Sequence, residues 1–362
     1  MLDLMGKSTK PRAAVKTKPL NRSFSAAKAS KQDEFYTQLS DIEKELKHYA
    51  PHFKGKAVYC NCDDPRISNF FHYFSYNFKK LSLKKLVAAC YKNQDRDLFS
   101  QNDAEHAIYL EYSGSKSEST VPDPENIGIK HLKGDGDFRS PETIELLKQA
   151  DIVVTNPPFS LFREYIAQLI EYDKKFVIVG NQNALSYKEI FNLVSDNRIW
   201  LGHKSGDMAF KVPDYYEARE TRYWVDTEGQ KWRSLGNACW FTNLDIAKRH
   251  EELILYKTYR PDEYPTYANY DAIEVAKISD IPVDYDGAMG VPLTFLDKYN
   301  PDQFEIIGSS RTLGRPMAEV ARKGSYSQGG PRFYLANGDG SYRRLYDRIV
   351  IKLRQKPTNA KR

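Results

Sequence analysis

Asn156-Pro157-Pro158-Phe159 is the stretch whose residue types most clearly suggest chemistry. It follows an apolar run, Asp151 to Thr155, that predicts a buried strand. Because proline cannot donate a ladder hydrogen bond, the strand must end at Asn156. Ligands bind at the carboxyl ends of strands in open α/β sheets. There, the Asn156 oxygen and a proline carbonyl can accept hydrogen bonds from an exocyclic amine while Phe159 stacks on a planar base. An ordinary strand-to-loop transition would also explain these residues.

A second candidate loop follows the alternating, β-prone residues 56–62. Asn61, Asp63 and Asp64 separate this strand from an aromatic-rich helix predicted near residues 68–78. Glycines, which let a backbone approach a ligand closely, are missing from the loop. Its carboxylates can contact a ligand's ammonium group, although capping of the following helix would explain at least one of them.

Apolar runs with helical segments between them predict an α/β fold. The predicted strands are residues 56–62, 85–91, 151–155, 175–181 and 198–202. The alternation indicates a mostly parallel, Rossmann-like sheet with helices on both faces. The polar residues 94–126 predict a surface hairpin or an insertion.

The 362 residues divide by composition into three parts. Residues 1–31 carry eight Lys/Arg and one Asp, which predicts a disordered tail that either grips a phosphate backbone or only aids solubility. Residues 32–202 hold the α/β pattern and form the predicted catalytic domain. Residues 203–362 are rich in Gly, Pro, Arg and aromatics, which suits contacts with bases and phosphates, with some elements returning to the core. An ordinary α+β accessory lobe is the alternative.

Composition also excludes some classes of protein. The sequence has no run of about 18 apolar residues, so no membrane-spanning helix is expected. The N-terminus lacks the apolar core of a signal peptide. The four cysteines, Cys60, Cys62, Cys90 and Cys239, lack zinc spacing, so we expect reduced core residues of a cytoplasmic protein and no metal.

Taken together, these stretches resemble the EcoRI-type adenine-specific DNA methyltransferases. The family's Asn-Cys-Asp-Asp-Pro loop stands here at residues 61–65, so its lack of glycines supports the resemblance. The resemblance covers about residues 33–308 and the final strand. The matching stretches are Asp33 to Gln38, Val58 to Arg66, Gly134 to Ser140, Asp151 to Phe162, Asp280 to Tyr285 and Gly287 to Pro292.

The resemblance implies a role for each stretch, with S-adenosylmethionine (AdoMet) as methyl donor and no metal. Asn156, Pro157, Pro158 and Phe159 are the implied catalytic residues. The implied cofactor-binding residues are Phe35, Tyr36, Thr37, Asn61, Asp63, Asp64, Asp137 and Phe138. In particular, Asp137 would accept from the adenine amine of AdoMet and Phe138 would pack on its ring. Taken alone, a glycine-rich turn with an Asp helix cap would explain residues 134–138.

The implied reaction is methylation of N6 of an adenine flipped out of a short duplex site, such as a GAATTC-like palindrome. The implied partner is double-stranded DNA. The resemblance also suggests a monomer in a bacterial or phage-infected cytoplasm, with a separate endonuclease acting on the same site. A non-catalytic DNA-binding protein is the alternative from another class. Asn156 argues against a cytosine-N4 methyltransferase, and Phe159 argues against a glutamine-N5 protein methyltransferase.

Overall fold

The structure, a computed structural model, describes residues 35–62, 64–91, 107–114, 122–214 and 216–354. The predicted basic tail and Asp63 lie outside the described residues. Within the described residues, strands of the main sheet are β1 (Tyr36–Thr37), β2 (Ala57–Asn61), β3 (Lys85–Cys90), β4 (Ile108–Tyr112), β5 (Lys130–His131), β6 (Ile152–Thr155), β7 (Lys175–Asn181), β8 (Trp200–Lys211), β9 (Tyr223–Val225) and β10 (Lys231–Thr242).

The main sheet is mixed, so the prediction of a mostly parallel sheet is wrong. Its order is β1-β8-β10-β7-β6-β2-β3-β4-β5, with β9 paired to β10. The pairs along β7-β6-β2-β3 are parallel, whereas β10 runs antiparallel to both β7 and β8, and β4 runs antiparallel to β3. An apolar run predicts a strand but carries no signal for its direction. The sequence predicted a strand at the start of β8. It did not predict β10, which lies between β8 and β7.

Helices cover both faces of this sheet, as predicted. They are α1 (Leu39–Leu46), α2 (Ala50–Phe53), α3 (Asn69–Tyr76), α4 (Pro124–Ile127), α5 (Pro141–Gln149), α6 (Phe162–Glu171), α7 (Lys188–Ser195) and, beyond the sheet, α8 (Ser310–Leu313). In β6, Ile152 and Val154 pack in the cluster that contains α1 and α3, whereas Val153 packs in the cluster that contains α5, α6 and α7. This alternation is expected of a strand that is buried on both faces.

A second sheet extends the core on the α7 side. Its strands are β11 (Ile273–Glu274), β12 (Met289–Pro292), β13 (Phe304–Ser309) and β16 (Arg348–Leu353), in the order β11-β12-β16-β13. A separate ribbon pairs β14 (Tyr334–Ala336) with β15 (Tyr342–Arg344). Met289, Phe304 and Ile351 join the same apolar cluster as α7. β8 also spans the predicted boundary between residues 202 and 203, and the division into domains stays a prediction. Among the described helices, none is long and apolar enough to cross a membrane.

Candidate active site

Asn156 stands where the sequence analysis placed it, directly after the central strand β6. The chain then passes through the two prolines into a short 3-10 turn, Phe159–Leu161, before α6 begins. The Thr155 hydroxyl donates to the Asn61 carbonyl, which fastens the end of β6 to the end of β2. The site therefore lies at the carboxyl ends of two adjacent parallel strands, where open α/β sheets bind ligands.

The two ends of the Asn156 amide are in different environments. Its Nδ2 donates to the Phe35 carbonyl at 2.6 Å. Its Oδ1 is buried and has no hydrogen-bond partner in the described part of the chain. A buried acceptor without a donor is costly, and native structures rarely keep one without a purpose. The bond to Phe35 fixes the amide so that the oxygen remains available to a ligand.

Phe35 also covers the aromatic side chain of the motif. Its ring stacks on Phe159, with centroids 5.4 Å apart and planes inclined by 26°. The Phe210 and Tyr216 rings meet Phe35 edge-on. The Phe35-Tyr36-Thr37 element thus lies against Asn156-Pro157-Pro158-Phe159, although the two are more than a hundred residues apart in sequence.

Pairing with β8 holds the Phe35-Tyr36-Thr37 element in place. Tyr36 pairs with Lys211, and Thr37 with Phe210, in the short strand β1. The Thr37 carbonyl accepts from Asn69 Nδ2 at 2.8 Å, at the start of α3. The Thr37 hydroxyl is buried with no partner among the described residues, so it is a second unused polar group near Asn156.

The loop after β2 forms its sharp turn without glycine. Cys62 adopts a φ of 81°, a backbone region that favours glycine. Asn61 is buried, and its Oδ1 accepts from the Tyr165 hydroxyl of α6. Burial raises the pKa of Tyr165, so this hydroxyl stays protonated and continues to donate. Asn61 therefore joins the loop to the helix that follows the Asn156 motif.

The Asp64 carboxylate is already satisfied within the protein. The side chain of Asp64 is only 2% exposed and accepts from the Arg66 backbone N–H at 2.9 Å and from the Arg66 guanidinium. The Asp64 carbonyl accepts from Ser68 N at 2.8 Å as the chain enters α3. The Asp64 side chain does not cap α3, because the N-cap residue of that helix is Ser68, whose hydroxyl accepts from the Phe71 N–H. Asp64 instead holds the loop before the helix through Arg66.

Asp137 also accepts from an arginine two residues later, Arg139, but its side chain is more exposed than that of Asp64. Its side chain is 31% exposed and accepts from the Arg139 backbone N–H, Nε and Nη2 at 2.8, 2.8 and 2.7 Å. Burial raises the pKa of Asp137, but the Arg139 hydrogen bonds outweigh it and the pKa is lowered. The group is therefore a carboxylate. Of its roughly four acceptor positions, one on Oδ2 is left for a ligand.

Phe138 connects this loop to the rest of the site. Its ring meets Tyr165 edge-on, with centroids 5.0 Å apart, and Arg139 lies over it. Gly136 has a φ of 75°, and a Cβ there would come within 2.5 Å of the Cys90 carbonyl at the end of β3. Only glycine permits this close approach.

The structure therefore brings most of the predicted residues into one connected group. Tyr165 touches both Phe138 and Asn61, and Asn61 is bonded to the residue before Asn156. Sequence reasoning missed Tyr165, Arg66 and Arg139. The two arginines had a signal, since each stands two residues after an aspartate in a predicted ligand loop, whereas a tyrosine on a buried helix face has none.

The four cysteines are free thiols; all but Cys62 are buried, as expected for core residues. Among the described residues, no group of three or more His, Cys, Asp or Glu side chains is placed to hold a metal ion. The groups that could hold a ligand are instead the amide, hydroxyl, carboxylate and aromatic side chains described above.

A mixed α/β sheet with Asn-Pro-Pro-Phe at the end of a buried parallel strand defines an amino-methyltransferase class of protein. Comparison with known proteins agrees. The family model described as "Adenine-specific methyltransferase EcoRI" matches residues 23–354. The chain belongs to this family and is a DNA methyltransferase of the type II restriction-modification class.

Three curated relatives illustrate the similarity. The type II methyltransferase M.EcoRI of Escherichia coli is 53% identical over 291 residues, which cover 79% of this chain and 89% of the relative. M.MgeORF184P of Mycoplasma genitalium and M.MpnI of Mycoplasma pneumoniae, also type II methyltransferases, are each 38% identical over 342 residues. Those matches cover 92% of this chain and 99% and 98% of the relatives. No solved structure matches the chain significantly.

Proposed function

We propose that this methyltransferase transfers a methyl group from AdoMet to N6 of an adenine flipped out of duplex DNA. The observation that carries the proposal is the Asn156 amide, whose nitrogen is held by the Phe35 carbonyl while its buried oxygen has no partner among the described residues. This is the arrangement that an enzyme needs to accept a hydrogen bond from a substrate amine. The family description, which specifies adenine, supports the same substrate base.

The chemistry needs acceptors rather than a nucleophilic side chain. The adenine amine is a weak nucleophile because its lone pair is delocalised into the ring. Asn156 Oδ1 and the Pro157 carbonyl would hold the two amine hydrogens and favour a tetrahedral nitrogen whose lone pair is free. Catalysis of this kind depends on positioning and on preorganised dipoles. Fixing Asn156 through Phe35 provides that preorganisation.

The groups around Asn156 fit AdoMet as the methyl donor. AdoMet supplies a methyl group on a positively charged sulfonium. Counting partners among the described residues, Asp137 has one acceptor position left for an adenine amine, and the buried Thr37 hydroxyl has none of its positions occupied. Phe35, Tyr36 and Asn61 would line the remainder of the cofactor site. Asp63 and Asp64 complete the predicted set, although the bonds to Arg66 leave Asp64 less free than Asp137.

The stacking of Phe35 on Phe159 affects how the target base would enter the site. A base between two rings needs a separation of about 7 Å, two van der Waals contacts of about 3.5 Å each. The ring centroids are 5.4 Å apart, so no base fits between them. For adenine to stack on this face of Phe159, the Phe35 ring must therefore move aside, which would couple base entry to the cofactor-side element.

The finer features of the function follow from the family resemblance. We infer that the protein acts as a monomer on a short palindromic site, such as GAATTC, in a bacterial or phage-infected cytoplasm. A separate endonuclease would cut the same site when it is unmethylated. A flipped base is required because the target atom is inaccessible inside a stacked duplex.

The experiment that tests this function is transfer of labelled methyl groups from AdoMet to unmethylated genomic DNA, followed by long-read sequencing of modified bases. We expect N6-methyladenine within one short sequence. N4-methylcytosine would overturn the substrate assignment. Absence of any modified base, in protein that binds AdoMet, would overturn the proposed reaction on DNA.

A further inference from the structure

The C-terminal segment 309–348 is strongly basic, with eight Lys/Arg and three Asp/Glu. Much of this charge collects around residues 345–347, the short connection between β15 and β16. We define the arginine–tyrosine patch as Arg311, Arg332, Arg344, Tyr346 and Asp347. The patch is not part of the site around Asn156.

Asp347 organises two of the arginines. Arg311 makes a bidentate ion pair with Asp347: Nε lies 3.0 Å from Oδ1 and Nη2 lies 2.9 Å from Oδ2. Arg332 Nε lies 3.0 Å from the same Oδ1. Because one carboxylate balances only one guanidinium, this trio keeps an excess positive charge.

Arg344 adds a third guanidinium group without a carboxylate partner in the described part of the chain. Its Nη2 donates to the Gly330 carbonyl at 3.0 Å, while its Nε is buried and unpaired. Burial lowers the pKa of Arg332, and the charges of Arg311 and Arg344 lower it further, opposed by Asp347. The cations are therefore close enough to repel one another, a cost that a bound anion would relieve.

Tyr346 stands beside this cluster with 89% of its surface exposed. The backbone around it is nevertheless fixed, because Leu345 packs in an apolar cluster and its N–H donates to the Phe333 carbonyl at 3.0 Å. Asn269 also binds the Arg315 and Arg332 carbonyls at 2.9 and 2.8 Å. The patch thus presents an exposed aromatic ring beside the partly exposed side chains of Arg311 and Arg344, on a well-anchored backbone.

We propose that the arginine–tyrosine patch is a binding surface for duplex DNA, at which its arginines contact phosphates and the Tyr346 ring packs against the sugar or base edges. The inference rests on the proposed function, since it assigns a contact surface for the same DNA. Guanidinium groups suit phosphate because their planar fork matches its oxygens. Holding two of them ready through Asp347 reduces the side-chain entropy lost on binding.

A purely structural role explains only part of the patch. The Asp347 ion pairs would join α8 and residue 332 to the start of β16 even without a ligand. That role accounts for Arg332, which is mostly buried, but it requires neither the extra charge of Arg344 nor an almost fully exposed tyrosine. These two features favour a bound polyanion that also has sugars and base edges against which an aromatic ring can pack.

The test measures binding of the full chain to a fluorescent duplex over a series of salt concentrations. The variants are Tyr346→Ala, at an exposed side chain, and Arg311→Gln, which leaves Asp347 paired with Arg332. Matched controls are Tyr76→Ala, an exposed tyrosine on α3, and Lys148→Gln, an exposed cation paired with Glu145 on α5. Thermal unfolding and AdoMet binding of each variant check that the fold is intact.

We expect Tyr346→Ala to weaken duplex binding severalfold, through loss of its packing against a sugar or a base edge. Arg311→Gln should reduce the slope of log K against log salt by about one, the loss of one phosphate contact. Both controls should keep wild-type values. Wild-type affinity and slope in both patch variants would overturn the proposal, as would equal loss in the controls. Tighter binding of a single strand than of the duplex would overturn the assignment of duplex DNA.

Methyl transfer measured in parallel separates this proposal from the proposed function. If the wild type transfers methyl groups to DNA and the patch variants bind DNA normally, only the patch proposal fails. If the wild type binds DNA through the patch but transfers no methyl group, the proposed reaction fails and the surface stands.

Discussion

Asn156 presents one amide nitrogen and one amide oxygen, and within the described part of the chain only the nitrogen is hydrogen-bonded. Asn156→Ala removes the free acceptor together with the bond to Phe35. We expect methyl transfer to fall at least about a hundredfold, the usual cost of losing one preorganised group at a reacting atom. AdoMet binding, measured by calorimetry, should remain within a few-fold of wild type because the proposed cofactor contacts are made by other residues. Retention of activity would show that Asn156 has no catalytic role.

Asp64 and Asp137, the two aspartates of the predicted cofactor site that the structure describes, should respond differently to substitution. Asp137→Ala should weaken AdoMet binding about tenfold, because a hydrogen bond to a charged group contributes about 1.5–3 kcal/mol. Asp64→Ala should instead lower the free energy of unfolding by about 1–3 kcal/mol, since it leaves the donors of Arg66 without their buried acceptor. Calorimetry and thermal unfolding of both variants test the difference. Weaker AdoMet binding in Asp64→Ala with unchanged stability would reverse the two assignments.

At the scale of elements, the site depends on how the short strand β1 is held. Asn69→Ala removes the bond from α3 to the Thr37 carbonyl, worth about 1 kcal/mol. We expect about fivefold weaker AdoMet binding, with a corresponding loss of transfer at low AdoMet concentration. Asn77→Ala is the matched control. Asn77 follows the C-terminal end of α3, and its Nδ2 donates to the Tyr73 carbonyl over the same distance, 2.8 Å. A similar effect in both variants would mean that α3 stability, not β1, is responsible.

The central strands were predictable because burial on both faces gives continuous apolar runs. Residues 85–91, 151–155 and 175–181 correspond closely to β3, β6 and β7. The antiparallel strand β10 was not predicted, because its sequence mixes Asn, Gly, Cys and Trp and its partner β7 lies about sixty residues earlier. Such long-range pairing leaves no periodic trace in a single sequence.

The same limit applies to the candidate site. The stretches around residues 61 and 156 were indicated by polar residues at the ends of predicted strands, whereas those around residues 35 and 137 were identified through the resemblance to the family. The contacts between those stretches were not predictable. The bond from Asn156 to Phe35 and the bond from Tyr165 to Asn61 depend on tertiary packing alone.

At the scale of the whole molecule, a polar cluster joins α1, β8 and the C-terminal region. Glu45 is fully buried and accepts from Tyr49 and from the backbone N–H groups of His203 and Lys204. The rings of His48 and His203 stack 3.5 Å apart. Lys248 extends the cluster by donating to the His203 carbonyl and to Asp297, which lies in the turn after β12. The cluster therefore connects the main sheet with the second sheet.

The two stacked histidines of this cluster should make the protein sensitive to acid, an effect opposed by Glu45, whose pKa is raised by burial. Burial lowers the pKa of both His48 and His203, and His48 is lowered further by the charges of His203, Lys47 and Lys248. Since the folded pKa lies below the unfolded value of about 6.5, the folded state binds fewer protons. The stabilisation is therefore present above about pH 6.5 and is lost as the pH falls through the folded pKa.

We expect the Tm to fall as the pH is lowered from about 7.5 to about 5.5, the range in which histidines titrate. The fall should be shallower in His203→Gln, which removes one of the two groups. His250→Gln is a control of opposite sign, because hydrogen bonds to Asp302 and Asp245 raise the pKa of His250, and its stabilisation is lost as the pH rises. Its removal should make the acid-induced fall steeper. Differential scanning fluorimetry over this range measures all three proteins, and a wild-type slope in His203→Gln would show that the stacked histidines do not control the acid response.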